Sequence, residues 1–157
     1  MFTTIGNLKI HYRQAGQAGR PFLILPGWGK GSQSWQKFLA LIKNNAETRP
    51  GASRQIIVPD LPGFGQSDAP LDAWSVGDYA HFVWQFLAKL KITEFDLLGH
   101  SFGGRIAIKM AAEISSADTI QKYPPFDKGR DRAGLKFILQ QTLPPPASPL
   151  ARGRKDI

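Results

Sequence analysis

Phe95-Asp96-Leu97-Leu98-Gly99-His100-Ser101-Phe102-Gly103-Gly104 decides how the rest of this chain is read. Its second half fits the pattern G-x-S-x-G. In 157 residues with 16 glycines, the bare pattern arises by chance with a probability on the order of 0.1, so its setting carries the weight. Phe95-Asp96-Leu97-Leu98 reads as a buried strand that runs straight into the pattern, and Phe102 to Ala112 reads as a helix that runs straight out of it. So abrupt a strand-to-helix change requires a tight corner. Glycine at 99 and 103 keeps Cβ atoms away from the neighbouring backbone. Ser101 is therefore expected on a strained corner with its hydroxyl exposed above the sheet. The free amides and positive dipole end of the new helix point at the same spot. An oxyanion formed by attack of Ser101 on a carbonyl would be stabilised there, with the backbone N–H of Phe102 as one donor.

A second donor is found upstream. Pro21-Phe22-Leu23-Ile24-Leu25 is a continuous apolar run, as a strand buried on both faces should be. It opens into Pro26-Gly27-Trp28-Gly29-Lys30-Gly31. Taken alone this is a plain turn. Beside the corner at Ser101, Gly27 and Gly29 let the loop approach closely and the Trp28 backbone N–H supplies the second donor. Trp35, Phe38, Leu39 and Ile42 recur at helical spacing, and Gln55-Ile56-Ile57-Val58 is the next buried strand, ending in a loop from Pro59 to Asp68. Ser75 opens a long helix with Asp78 three residues on, a capping-box-like start. Tyr79, Phe82, Val83, Phe86, Leu87 and Leu90 line one face of it. At the amino end, Phe2 to Ile5 and Leu8 to Arg13 flank Gly6-Asn7 as a hairpin. Strands alternating with helices imply parallel pairing and an α/β layer architecture.

Three motifs in this order resemble the α/β-hydrolase family: Leu25-Pro26-Gly27-Trp28-Gly29, then Asp60-Leu61-Pro62-Gly63-Phe64-Gly65-Gln66-Ser67-Asp68, then Gly99-His100-Ser101-Phe102-Gly103-Gly104. The resemblance covers about residues 5–113. Pro26 stands where many members have His, which leaves the backbone donor intact. The resemblance implies a nucleophile at Ser101, as in the esterase, lipase, acyltransferase and carbon–carbon bond hydrolase branches; the dehalogenase and epoxide hydrolase branches use Asp there. It implies a small-molecule ester or acyl substrate, acyl transfer to Ser101 followed by hydrolysis, and no cofactor or metal.

A serine hydroxyl needs a base oriented by an acid. In the family the chain order is Ser, then Asp or Glu, then His. Here no His follows His100, so the triad acid and base are absent. His100 reads as packing beside the site, His81 as a solvated face residue and His11 as far from the fifth strand. Turn formation accounts for Asp60 and Asp68. Some members place the acid after the sixth strand, near Asp127 here, but Pro124-Pro125 argues against a normal strand at that point.

Five strands are used by residue 98. Three more with their helices need about 30 residues each, and only 114–157 remain. The chain thus reads as a truncated α/β-hydrolase sheet, an N-terminal hairpin plus parallel strands with flanking helices, lacking the last strands. Residues 1–113 are the N-terminal part of the domain. Residues 114–157 are an atypical Pro-rich basic tail, partly disordered. In it Thr119 to Tyr123 begins a strand that Pro124-Pro125 stops, and Asp131 to Leu143 forms a helix around Leu135, Phe137, Ile138 and Leu139. Strand 95–98 becomes an apolar edge and a place for self-association. The first expectation is a truncated or frameshifted serine hydrolase with little activity. The alternatives are an inactive binding protein that pairs through that edge or the basic tail, and a minimal esterase that borrows His81, His100 or a histidine from a second chain.

Composition bounds these readings. Twenty Lys and Arg against twelve Asp and Glu give a net charge of +8. No nucleic-acid-binding motif accompanies it, so a generally basic surface is expected rather than a nucleic-acid site. The absence of Cys removes disulfides, thiol nucleophiles and Cys-ligated metals. No stretch approaches the roughly 18 apolar residues of a membrane span. Met1 to Gly6 has neither a basic start nor a long apolar run, so no secretory signal is expected and a cytoplasmic location is.

Overall fold

The computed structural model describes residues 1–16, 18–41, 54–115 and 137–140. In chain order they form β1 (Phe2–Ile5), β2 (Leu8–Ala15), β3 (Ala18–Leu25), a 3-10 turn (Ser32–Trp35) leading into helical residues 36–41 (α1), β4 (Arg54–Pro59), α2 (Val76–Lys89), β5 (Asp96–His100), α3 (Phe102–Ser115) and β6 (Phe137–Gln140). They build one mixed sheet of order β1-β2-β4-β3-β5-β6. β1/β2 and β2/β4 are antiparallel, and β4/β3, β3/β5 and β5/β6 are parallel. This is the expected architecture: a hairpin, then parallel strands with flanking helices.

The apolar runs of β3, β4 and β5 alternate between two faces, and each face is covered. On one side Leu23, Leu25, Ile57 and Leu97 pack against Tyr79, Phe82, Val83, Phe86 and Leu87 of α2 and Ile106, Ala107 and Met110 of α3. On the other, Phe22, Ile24, Ile56, Val58 and Leu98 pack against Leu39, with Trp35 and Phe38 at the margin. Strand residues of both parities are buried, which is why these segments read as unbroken apolar runs. The α2 start is the capping box foreseen at Ser75. The Asp78 N–H donates to Ser75 Oγ at 3.3 Å, and the Ser75 N–H donates to Asp78 Oδ2 at 2.8 Å.

Register matters most for the site. Leu25 lies opposite Gly99 and Leu23 opposite Ile57, all in parallel pairs. The carboxyl ends of β3, β4 and β5 therefore finish at one edge, and the loops that follow them meet there, where open α/β sheets place their ligands.

Expectations about the later chain are corrected. Phe137 to Leu139 belongs to a strand rather than a helix, and that strand pairs with β5 from Leu97↔Phe137 to His100↔Gln140. Strand 95–98 is consequently not an exposed edge; β6 forms the outer edge. So short an apolar run fits either period, and the unpaired backbone groups of β5 settle the choice by taking it as a strand. Asp127 precedes this sixth strand instead of following it. α3 continues to Ser115, past the expected boundary at 113. Apart from the end of α3 and β6, the segment 114–157 lies outside the described residues, including Thr119–Tyr123 and the rest of 131–143.

Candidate active site

Ser101 occupies the single-residue joint between β5 and α3, is exposed, and has φ +53°. A left-handed conformation at a residue with a Cβ costs about 1–2 kcal/mol. Its surroundings impose it. A Cβ on Gly99 would lie 2.6 Å from Gly104 Cα and closer still to the Gly103 carbonyl. A Cβ on Gly103 would lie 2.7 Å from the Pro26 oxygen and closer still to that of Leu25. The first turn of α3 thus backs directly onto the ends of β5 and β3, and the chain must reverse within one residue. The Ser101 carbonyl accepts from the N–H groups of Gly104 (3.0 Å) and Arg105 (3.3 Å), closing that turn.

This strain gives a stability prediction. Ser101→Gly should stabilise the fold by about 1 kcal/mol, because glycine adopts this φ freely. Ser101→Ala keeps the Cβ and the strain, so it should stay within about 0.5 kcal/mol of wild type. Urea unfolding of the three proteins checks this. Equal stability of the glycine and alanine variants would show that the corner stores no strain.

The loop after β3 presses on this corner. A Cβ on Gly27 would be 3.4 Å from Ser101 Cβ and 3.1 Å from His100 Nδ1. Gly29 has φ +65°, and the Lys30 N–H donates to the Gly27 carbonyl at 3.1 Å. Among the described residues, neither the Trp28 nor the Phe102 backbone N–H donates a hydrogen bond. The Trp28 indole stands edge-to-face with Phe102 (4.9 Å between ring centroids) and with Phe64 (5.0 Å). Phe102 meets Tyr79 at 5.1 Å. The buried Tyr79 hydroxyl donates to the Pro62 carbonyl at 3.1 Å, and burial pushes its ionisation up.

Asp60 was legible only as a turn residue, yet it joins the three loops. It is 2% exposed. Its Oδ1 accepts from the Ser32 N–H in the β3 loop; its Oδ2 accepts from the Gln66 N–H at 2.8 Å and from His11 Nδ1 on β2 at 2.9 Å. An ionised carboxylate only accepts, so His11 carries its proton on Nδ1. The Asp60 N–H donates to the His11 carbonyl at 2.8 Å, and its own carbonyl accepts from Ser67 Oγ at 2.7 Å. Burial acts to raise the Asp60 pKa, but the hydrogen bonds from Ser32, Gln66 and His11 outweigh it and hold the carboxyl below the ordinary range. Asp68 ties the far end of the same loop to β2: the Lys9 N–H donates to its Oδ2 at 2.7 Å.

The histidines are placed as follows. His11 is held by Asp60, and His81 lies 2.8 Å from Gln85 Nε2. His100 lies beside Gly27 with its ring 6.2 Å from Trp35, packed against the loop as expected. Among the described residues none hydrogen-bonds to Ser101 Oγ, and no group of His, Cys, Asp and Glu is arranged to hold a metal ion. No helix among them is long and apolar enough to cross a membrane.

The sheet order, the corner at Ser101 and the loop against it agree with the family comparison. The pattern of the alpha/beta hydrolase fold matches residues 20–122, and the chain belongs to the α/β-hydrolase fold family. It is similar to 2-hydroxymuconate semialdehyde hydrolase of Pseudomonas sp. (strain CF600), with 36% identity over 99 residues, covering 60% of this chain and 32% of that protein. An uncharacterised protein of Mycobacterium tuberculosis is 33% identical over 113 residues, covering 72% of this chain and 30% of its own. Among solved structures, a bacterial membrane phospholipase A described as a virulence factor superposes with a TM-score of 0.63 at 29% identity, over 71% of this chain and 34% of that one. The chain spans about a third of the length of the curated relatives it matches.

Proposed function

We propose that this chain carries the nucleophile half of a serine hydrolase that cleaves a small ester, or a related acyl or carbon–carbon bond, through an acyl-enzyme on Ser101. The observation that carries the reading is the exposed Ser101 at φ +53° between β5 and α3, with the Gly27 loop against it. Ser101 Oγ attacks the carbonyl carbon, its proton passes to a base, and the carbonyl oxygen takes the negative charge. The backbone N–H groups of Trp28 and Phe102 receive that charge, helped by the amino end of α3. The leaving group departs, and water then hydrolyses the acyl-serine. Gly27, Gly29, Gly99 and Gly103 serve by letting these backbone segments converge.

The base and acid are to be sought in the gene beyond codon 113, in the reading frame used or in the other two, because no His follows His100. On this reading the 157 residues by themselves have little activity, because among the described residues no histidine hydrogen-bonds to Ser101 Oγ. The expected result is a frame that encodes an Asp and then a His, each in a loop after a strand-like run; three frames without that order would overturn the reading. With the 157-residue chain itself, hydrolysis of p-nitrophenyl acetate by wild type should stay within about tenfold of Ser101→Ala, since an unactivated serine is a poor nucleophile. A much larger difference would mean that a histidine of this chain already serves as the base.

A further inference from the structure

The side chain of Trp28 has no part in the oxyanion chemistry assigned to its backbone, yet it is 64% exposed beside Ser101. It is also not loose. Its indole is braced at 87° by Phe102, the residue after the nucleophile, and at 68° by Phe64. Behind them Tyr79 meets Phe102 at 88° and stacks on Phe64 at 6.4 Å, its hydroxyl fixed to Pro62. Phe64 rides on the loop that Asp60 and Asp68 fasten to β2 and to the β3 loop. The result is a preformed, uncharged aromatic surface, open to solvent at Trp28 and continuous with the corner that holds Ser101.

Its position relates it to substrate. A carbonyl oxygen received by the Trp28 N–H places the group attached to that carbonyl within reach of the Trp28 side chain. Aromatic rings favour edge-to-face or offset contacts with further rings. We propose that the site takes a carbonyl compound that bears an aromatic ring on its acyl side, and that the ring packs against Trp28 and Phe102. The proposal rests on the serine-hydrolase reading for where the carbonyl sits, but recognition of the ring can be measured without the reaction.

The test is ligand-observed saturation-transfer NMR on the full 157-residue chain with phenylacetamide and cyclohexylacetamide, which have similar size and differ in aromaticity. Phenylacetamide should bind about fivefold more tightly. Trp28→Ala should weaken it about fivefold and erase the preference, while Trp28→Phe should keep part of it. Because Trp28 is exposed, the alanine variant is expected to stay folded, and its amide spectrum checks that. Ser101→Ala should retain the preference, and so should Leu71→Ala, which alters a side chain that is 95% exposed and makes no ring contact with the four aromatic residues. Equal affinities, a preference that survives in Trp28→Ala, or no binding of phenylacetamide up to its solubility limit would each overturn the proposal. Failure of the serine reading would appear in the downstream frames and leave the amide preference untouched.

Discussion

Asp60→Ala is expected to lower the unfolding free energy by about 3–5 kcal/mol. The substitution leaves three buried or part-buried donors, the Ser32 N–H, the Gln66 N–H and His11 Nδ1, without their shared acceptor. Each orphaned donor costs about 1–3 kcal/mol. A domain holds only about 5–15 kcal/mol in total, so the variant should be marginal at room temperature. Asp60→Asn should be nearly as damaging. The carboxylate accepts at both oxygens, whereas an amide accepts at one and presents N–H donors where Gln66 and His11 also donate. The environment is also tightly sized for it: a Cβ on Gly31 would come within 3.0 Å of Asp60 Oδ1, and one on Gly65 within 3.0 Å of Asp60 Cβ. Urea titrations read the effect, and a loss under about 1 kcal/mol in both variants would show that the three loops hold together without Asp60.

The same carboxylate should shape the acid response. Its folded pKa lies below that of the unfolded chain, because the hydrogen bonds from Ser32, Gln66 and His11 outweigh the opposing effect of burial. Its contribution is therefore complete above the ordinary carboxylate value near 4. It is lost as pH falls through the lower folded value. Wild type and Asp60→Asn should be furthest apart at pH 5–7 and converge toward pH 2. A gap independent of pH would assign the effect to shape rather than to the charge.

Gly103→Ala is the second large effect, expected at about 2–4 kcal/mol. On helix propensity alone, alanine would gain about 1 kcal/mol over glycine. The added methyl, however, would meet the carbonyl oxygens of Leu25 and Pro26, which are backbone and have no rotamer to retreat to. Either α3 or the end of β3 must shift. That shift separates the Phe102 N–H from the Trp28 loop as well as weakening the fold. Gly104→Ala is the internal contrast. Its methyl would stand 3.3 Å from the Gly99 oxygen, a contact that a small adjustment relieves, so it should cost under about 1 kcal/mol. Thermal or urea unfolding of the pair decides: similar stabilities would mean that the approach of α3 to β3 is looser than these contacts imply.

Much of the fold could be read from local pattern. The strand-turn-helix around Ser101, the capped start of α2 at Ser75 and the apolar runs of β3 and β4 each announce themselves within a few residues, where backbone propensity and burial act on the same short segment. β6 could not be read this way. Four residues of Phe-Ile-Leu-Gln satisfy a helix or a strand, and only the open side of β5 chooses between them. Asp60 was hidden for a related reason. Its partners lie 49 residues away at His11 and 28 away at Ser32, and nothing near Asp60 in the chain points to either.

The sequence by itself determined the family, the corner at Ser101 and the glycines that make it possible, because those depend on neighbouring residues. Only the tertiary structure decided that Asp60 locks the β3 loop against that corner and that the Trp28 side chain stands exposed beside Ser101. Those depend on parallel registers such as Leu25↔Gly99, which bring together segments that share no local signal and that pair only when the whole sheet forms.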